Sequence, residues 1–332
     1  MTRTAPARPG PGRGRCAWTV LRRSGLALLT GLTLALSVAV VPAPAAAGTQ
    51  EITPSLVFQL TEDLNGVLAA LHRANLTRPA TDAAAPRLAP RRPRHVYQKA
   101  REVFFKVQKL RFLNGLDQVA LPPPPGRDIL PKDVFGLVRA ASESLRALLP
   151  VFDVRALPAS ASFVAGKTPT DVYANLHRAS LALDGLGIPR VAPNDVMRIA
   201  LTIVDDLKLI LAEKGISPQA APAAAPPARK EPGDVYAKGT QLLDRIRRLG
   251  DSRADLRPEG GVVLSPEKTG RITPADVQDR LQTALAEVMS IKVAAGIDAP
   301  TRIAPPQSGK SPSDVYAVLE TATAMVDLLL RG

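Results

Sequence analysis

The stretch Lys167-Thr-Pro-Thr-Asp-Val-Tyr173 and its near copy Lys310-Ser-Pro-Ser-Asp-Val-Tyr316 decide the fold, because their pattern recurs eight times along the chain. Each copy has a proline, a valine three residues later and, in six copies, an aspartate directly before that valine. The prolines are Pro54, Pro93, Pro131, Pro169, Pro193, Pro232, Pro274 and Pro312. Five of the seven spacings are 38 or 39 residues, which indicates an internally repeated architecture.

Each copy has the residues of a helix N-terminus. Thr53, Thr168, Thr273 and Ser311 precede the proline, where a hydroxyl accepts a backbone N–H of the first turn. Proline follows at the first helical position, where its missing N–H costs nothing. The aspartate stands at the third position, where an acid pairs with the cap residue and meets the positive end of the helix dipole. The sequence therefore predicts that every copy begins an α-helix.

The predicted helix ends are glycines followed by an apolar residue, the pattern of a left-handed C-terminal cap. They are Gly115-Leu116, Gly187-Ile188, Gly215-Ile216 and Gly296-Ile297. These limits predict helices of about 18 to 22 residues, near 30 Å long. Apolar residues between the limits return at helical spacing, and no segment has the pattern of a strand. The predicted fold class is all-α.

Odd and even copies differ in a regular way, which predicts four tandem two-helix units. Even copies have Arg or Lys two residues before the proline, whereas odd copies have Ile or Val. The predicted units are residues 48–127, 128–190, 191–270 and 271–332, arranged as one or more bundles or as a short solenoid. Long Pro- and Ala-rich linkers can run back along a helix, so parallel neighbours and hairpins both stay open. Only 188–192 is short, and it predicts antiparallel helices four and five.

Residues 1–47 have the three parts of a secretory signal peptide. Six arginines precede an apolar run from Gly25 to Val41, and Ala45-Ala46-Ala47 matches a small-residue cleavage site. We expect cleavage after Ala47 and a periplasmic or extracellular location; Sec or Tat export, and retention as an anchor, stay open. Loss of this segment removes the single cysteine and lowers the net charge from +13 to +7, which excludes disulfides and thiolate metal sites.

The four tyrosines of the chain share one position in the even copies, and a basic residue stands six positions before each. The tyrosines are Tyr97, Tyr173, Tyr236 and Tyr316, and the basic residues are Arg91, Lys167, Lys230 and Lys310. One interpretation is a row of equivalent surface sites that bind an anion or a polymer. The alternative is that each ring packs between helices while its hydroxyl reaches solvent or a loop carbonyl.

The predicted second helix, residues 91–112, is strongly basic and includes Arg94 and Lys99 among three phenylalanines. Such a helix can contact an anionic membrane surface or an acidic partner, or it can bury its phenylalanines and show a solvated basic face. Because we expect export, we do not expect nucleic acid as the partner.

No arrangement of residues predicts an enzyme, a cofactor or a metal site. The three histidines fall on different predicted helices, and phosphate-loop, metalloprotease and nucleophile-elbow motifs are missing. The predicted function is therefore a non-enzymatic exported helical-repeat scaffold or protein-binding module of the bacterial cell envelope. Its partner would be another envelope protein or an anionic surface or polymer. The alternative is a periplasmic helical bundle that binds a small molecule or a lipid, as a sensor or transport accessory, in a cavity between helices.

Overall fold

The computed structural model describes residues 51–78, 88–221, 224–225 and 227–332, so the predicted signal peptide lies outside the described residues. Within these ranges the protein is all-α, as predicted, and contains no strand. The helices are α1 (Pro54–Ala74), α2 (Pro93–Leu113), α3 (Pro131–Arg146), α4 (Pro169–Asp184), α5 (Pro193–Glu213), α6 (Pro232–Ser252), α7 (Pro274–Ala294) and α8 (Pro312–Arg331). Short 3₁₀ helices span Pro218–Ala220 and Ala254–Leu256. No described helix is both long and apolar enough to cross a membrane.

All eight helices begin at the motif proline, and the third helical residue explains why the motif tolerates poor caps. Ala192 has no side-chain acceptor, yet Asp195 Oδ2 accepts the Ala192 N–H at 3.0 Å. In α2, where histidine replaces the aspartate, His95 Nδ1 accepts the Arg92 N–H at 3.1 Å. The acid thus satisfies the cap N–H whatever the cap residue is.

Six helices have 20 or 21 residues, as expected, but α3 and α4 have only 16. Helix α3 stops shortly before Pro150, which has no N–H to continue the helical hydrogen bonds, and residues 147–153 form turns instead. Helix α4 ends at Asp184, directly before Gly185, and a second glycine, Gly187, follows two residues later. Both helices are therefore shorter than the predicted 18 to 22 residues.

The helices form two four-helix bundles with separate apolar cores. We call α1–α4 bundle 1 and α5–α8 bundle 2. At one end of each bundle, the motif prolines and valines of all four helices line one small apolar depression. Because all four N-termini meet there, the four helices of a bundle run parallel. Asp195, Asp234, Asp276 and Asp314 place an acid at every helix start of bundle 2, which offsets the aligned dipoles.

The packing unit is the bundle rather than the two-helix repeat. Helices α1 and α2 each pack mainly on α3 and α4, and α5 and α6 pack in the same way on α7 and α8. The linkers that precede α4 and α8 run back along the helices to the common end. In the first linker the N–H of Ala161 donates a hydrogen bond to Asp63 on α1, and in the second the N–H of Ala304 donates one to Thr202 on α5. The short connection after α4 leads into the other bundle, so α4 and α5 belong to different apolar cores.

The two bundles pack through α2 and α7 and point in opposite directions. Near the start of α2, His95 contacts Glu287, which lies beyond the middle of α7. Near the end of α2, Lys109 contacts Asp195 at the start of α5. Because α5 and α7 start at the same end of bundle 2, these contacts run antiparallel to α2.

Candidate functional site

The structure places the ten residues of the predicted binding surface between helices. Arg91, Arg94, Tyr97, Lys99, Tyr173 and Tyr236 are buried, and Lys167, Lys230, Lys310 and Tyr316 are half-buried. The basic residue of one copy covers an aromatic ring of a neighbouring helix, not the tyrosine of its own copy. Arg91 Cζ lies 4.4 Å from the centre of the Tyr173 ring, and Lys230 Nζ lies 4.7 Å from that of Tyr316. This burial leaves little of these residues for a ligand.

The backbone at the same basic positions joins neighbouring helix starts. The residue two before each even-copy proline donates its N–H to a side chain directly after the proline of another helix. The pairs are Arg91 with Thr170, Lys167 with Ser55, Lys230 with Ser313 and Lys310 with Asn194. These repeated contacts hold the helix starts in register and give the even-copy pattern a structural role.

The basic residues of α2 face bundle 2 and pair with buried acids. Glu287 is fully buried, accepts a hydrogen bond from His95 Nε2 at 2.7 Å and lies 3.0 Å from Arg94 Nη2. Because His95 Nδ1 already accepts the cap N–H, His95 is neutral and carries its proton on Nε2. Burial lowers the pKa of His95, which favours this neutral form. Lys99 pairs with Asp279 at 2.7 Å. The exposed basic face that would support membrane contact by residues 91–112 is therefore largely taken up by the interface.

The nearest approach to a catalytic arrangement is Ser180 in the same region. Lys106 Nζ donates to Ser180 Oγ at 2.8 Å, and the serine donates to Glu102. Burial alone would raise the pKa of Glu102, but Lys99 and Lys106 lower it to about 2. A carboxylate this acidic is a poor base for a serine hydroxyl. Lys106 also pairs with Asp184, so this cluster is an ion-pair network.

A cleft of about 560 Å³ opens between the bundles and is large enough to hold a small ligand. Its walls come from α2, α5 and α7 and from the linkers around residues 118–120 and 303–307. Four basic and two acidic side chains line it, an excess of two positive charges. Ligand sites typically enclose about 300 to 1,000 Å³, so the cleft has a suitable size.

Two arginines at the cleft lack a carboxylate partner. Arg101 Cζ lies 5.4 Å and Arg198 Cζ 5.7 Å from the centre of the Phe105 ring, so both guanidinium groups border this ring. Among the described residues, neither arginine makes an ion pair; Arg198 Nε donates to the carbonyl of Ala304 at 3.1 Å. Burial lowers the pKa of Arg101, Tyr97 raises it, and the nearby charge of Arg198 lowers it further. An anion in the cleft would relieve this repulsion.

Glutamines are concentrated in the same cleft. Six of the ten glutamines of the chain line it: Gln98, Gln108, Gln118, Gln278, Gln282 and Gln307. Gln108 Nε2 and Gln282 Oε1 are buried and have no hydrogen-bond partner within the described residues. Unpaired buried polar atoms are costly, so these two call for an explanation.

The internal repeat shows that the cleft residues are not part of the repeated pattern. Counted from the motif proline, Arg101 and Phe105 of α2 correspond to Thr240 and Asp244 of α6. Arg198 of α5 corresponds in the same way to Gln59 of α1. The repeat therefore accounts for the bundles but not for the paired arginines.

Sequence reasoning missed this site because its residues come from both bundles and several linkers. The available signal was the placement of glutamines on two predicted helices. Gln278 and Gln282 are one helical turn apart on the seventh helix, and Gln98 lies on the second. Across the part of the chain that the structure describes, no three His, Cys, Asp or Glu side chains form a possible metal site. Comparison with protein-family models, curated proteins and solved structures found nothing similar to this chain.

Proposed function

We propose that the chain is an exported, non-enzymatic binding protein of the cell envelope whose inter-bundle cleft holds a small, polar, negatively charged molecule. The observation that carries this proposal is the pair of arginines, Arg101 and Arg198, which line a cleft of about 560 Å³ without a carboxylate partner in the described ranges. Export itself is inferred from residues 1–47 alone.

The cleft favours the ligand-binding hypothesis over a plain scaffold. The ligand it favours is a polar anion rather than a lipid. The lining has six charged side chains and six glutamines beside nine apolar residues. A polar ligand can pair with the charged and amide groups, whereas an acyl chain would contact only the apolar part of the lining. The apolar depression at the helix starts of each bundle is only about 20 Å³, too small for such a ligand.

Thermal stabilisation of the purified protein tests the proposal. We expect members of a panel of small carboxylates, phosphates and sulfates to raise the melting temperature in a dose-dependent way. At a hundredfold excess over the dissociation constant, a ligand adds about 2.7 kcal/mol of stability. Loss of one charge-assisted hydrogen bond costs roughly 1.5 to 3 kcal/mol, so Arg198→Gln and Arg101→Gln should weaken binding about tenfold or more.

Arg248→Gln is the matched control, because Arg248 is exposed on α6 and does not line the cleft. Its ligand response should equal that of the unaltered protein. Equal stabilisation of the Arg198→Gln variant and the control would refute the proposal, as would a panel in which no anion raises the melting temperature. Far-ultraviolet circular dichroism of each variant confirms that the helices remain formed.

A further inference from the structure

We infer that the ligand of the inter-bundle cleft is a sugar acid, a molecule with a carboxylate and several hydroxyl groups. This inference rests on the proposed function and names its ligand class. It follows from the hydrogen-bonding groups that the cleft leaves unpaired and from the sign of its charge.

The first observation is the amide lining. An amide both donates and accepts hydrogen bonds, and so does a hydroxyl group. A cleft lined by six glutamines therefore suits a ligand with many hydroxyl groups. Sulfate, which carries no proton at neutral pH, only accepts hydrogen bonds and would use only the amide N–H groups.

The second observation is the pair of unpartnered buried atoms. Gln282 is 7% exposed and its Oε1 acceptor lacks a donor, while Gln108 is 4% exposed and its Nε2 donor lacks an acceptor. Both residues line the cleft. A ligand that satisfies both atoms must offer a donor as well as an acceptor. Sulfate or acetate would leave Gln282 Oε1 unpaired, whereas a hydroxyl group can pair with it.

The third observation is the charge. Arg101 and Arg198 call for an anionic group, and a planar carboxylate matches a guanidinium with two parallel hydrogen bonds. The donor that Gln282 needs could be an ammonium or a hydroxyl. Because the lining has an excess of two positive charges, an ammonium would be repelled and a neutral hydroxyl is favoured. A carboxylate for the arginines and several hydroxyl groups for the six glutamines together define a sugar acid.

Isothermal titration calorimetry with matched small molecules tests this assignment. The probes are D-glucuronate, D-galacturonate and D-gluconate, each paired with its uncharged counterpart D-glucose, D-galactose or sorbitol, together with acetate and sulfate. We expect at least one sugar acid to bind about tenfold or more tightly than its uncharged counterpart and than acetate or sulfate. Gln282→Leu should weaken that binding by roughly threefold to tenfold and leave acetate and sulfate unchanged.

Gln241→Leu is the control, since Gln241 is exposed on α6 outside the cleft. The ligand-free Gln282→Leu variant should unfold at the same or higher denaturant concentration, because it loses an unpaired buried acceptor; this separates lost binding from lost folding. Equal affinities for sugar acids, acetate and sulfate, all sensitive to Arg198→Gln, would overturn the ligand class but not the cleft. Binding of no anion, or binding insensitive to Arg198→Gln, would overturn the proposed function as well.

Discussion

A buried ion pair in bundle 2 provides a quantitative test of how the two bundles are related. Lys292 Nζ lies 2.7 Å from Asp206 Oδ1 and 2.7 Å from Thr301 Oγ1, and the threonine donates to Asp206 at 2.6 Å. Lys292 is 1% and Asp206 2% exposed. Burial raises the pKa of Asp206 in spite of the nearby lysine. The loss of hydration therefore outweighs the attraction of its partners for this carboxylate.

Bundle 1 shows which residues can replace this cluster. Counted from the motif prolines, Asp206 and Lys292 correspond to Val67 and Leu149 of bundle 1, both of which are buried. Bundle 1 thus has apolar residues of one core at the corresponding positions, with Val67 on α1 and Leu149 in the turn after α3. A triple variant with Asp206→Val, Lys292→Leu and Thr301→Val gives bundle 2 apolar side chains at these positions. It leaves no hydroxyl group of the cluster without a partner.

The single variant should have a lower free energy of unfolding than the unaltered protein, whereas that of the triple variant should be equal or higher. Lys292→Leu alone leaves a buried carboxylate without its charge partner, which costs about 3 to 5 kcal/mol. The triple variant removes every member of the cluster and replaces it with side chains that pack well. Such replacements are neutral or stabilising by about 1 to 4 kcal/mol. We therefore expect the triple variant to be at least as stable as the unaltered protein.

Urea unfolding followed by circular dichroism measures each free energy of unfolding. The control is Lys208→Ala, which breaks the exposed pair between Lys208 and Asp205 on the same helix and should cost less than about 1 kcal/mol. The reasoning fails if Lys292→Leu costs no more than this control. A triple variant that is less stable than the unaltered protein would also contradict it.

Three further changes probe the contact between the bundles. A Cβ on Gly126 would overlap the backbone oxygen of Asp298 in bundle 2, so Gly126→Ala should lower the free energy of unfolding in urea by roughly 1 to 3 kcal/mol. The control is Gly136→Ala, whose Cβ would meet no atom within 4 Å and which should not lower it. Glu287→Ala leaves Arg94 and His95 without their buried partner and should lower the free energy of unfolding by about 3 to 5 kcal/mol. Its control is Glu320→Ala, which breaks a more exposed pair with Lys238 and should cost under about 1 kcal/mol. Equal losses in the two variants would contradict the importance of the buried pair. Because burial lowers the pKa of His95 from 6.5, the unfolded chain takes up a proton first as pH falls below about 6.5, and the folded state loses stability there. His95→Gln should remove part of this pH dependence, and unchanged pH profiles of unfolding would count against the neutral histidine.

The helices could be predicted because their signals are local. The cap Thr168 and Asp171 bond to each other within three residues, and the same short pattern marks every other start. Helices α3 and α4 are shorter than predicted because Pro150 and Gly185 end them earlier than the glycine pattern of the other helix ends indicates. The pairing of Arg91 with Tyr173 was also missed, because sequence proximity joins Arg91 to Tyr97 of its own copy.

The sequence alone determined the fold class, the eight helix starts and the repeat, since these depend on bonds and apolar spacing within one helix. Only the tertiary structure decided that all four helices of a bundle run parallel, that α2 is buried against α7, and that Arg101 and Arg198 meet at one cleft. Those arrangements depend on contacts between residues about eighty to two hundred positions apart in the chain. Linkers long enough to run either way leave several topologies open, and packing of the apolar faces and pairing of the buried charges select one of them.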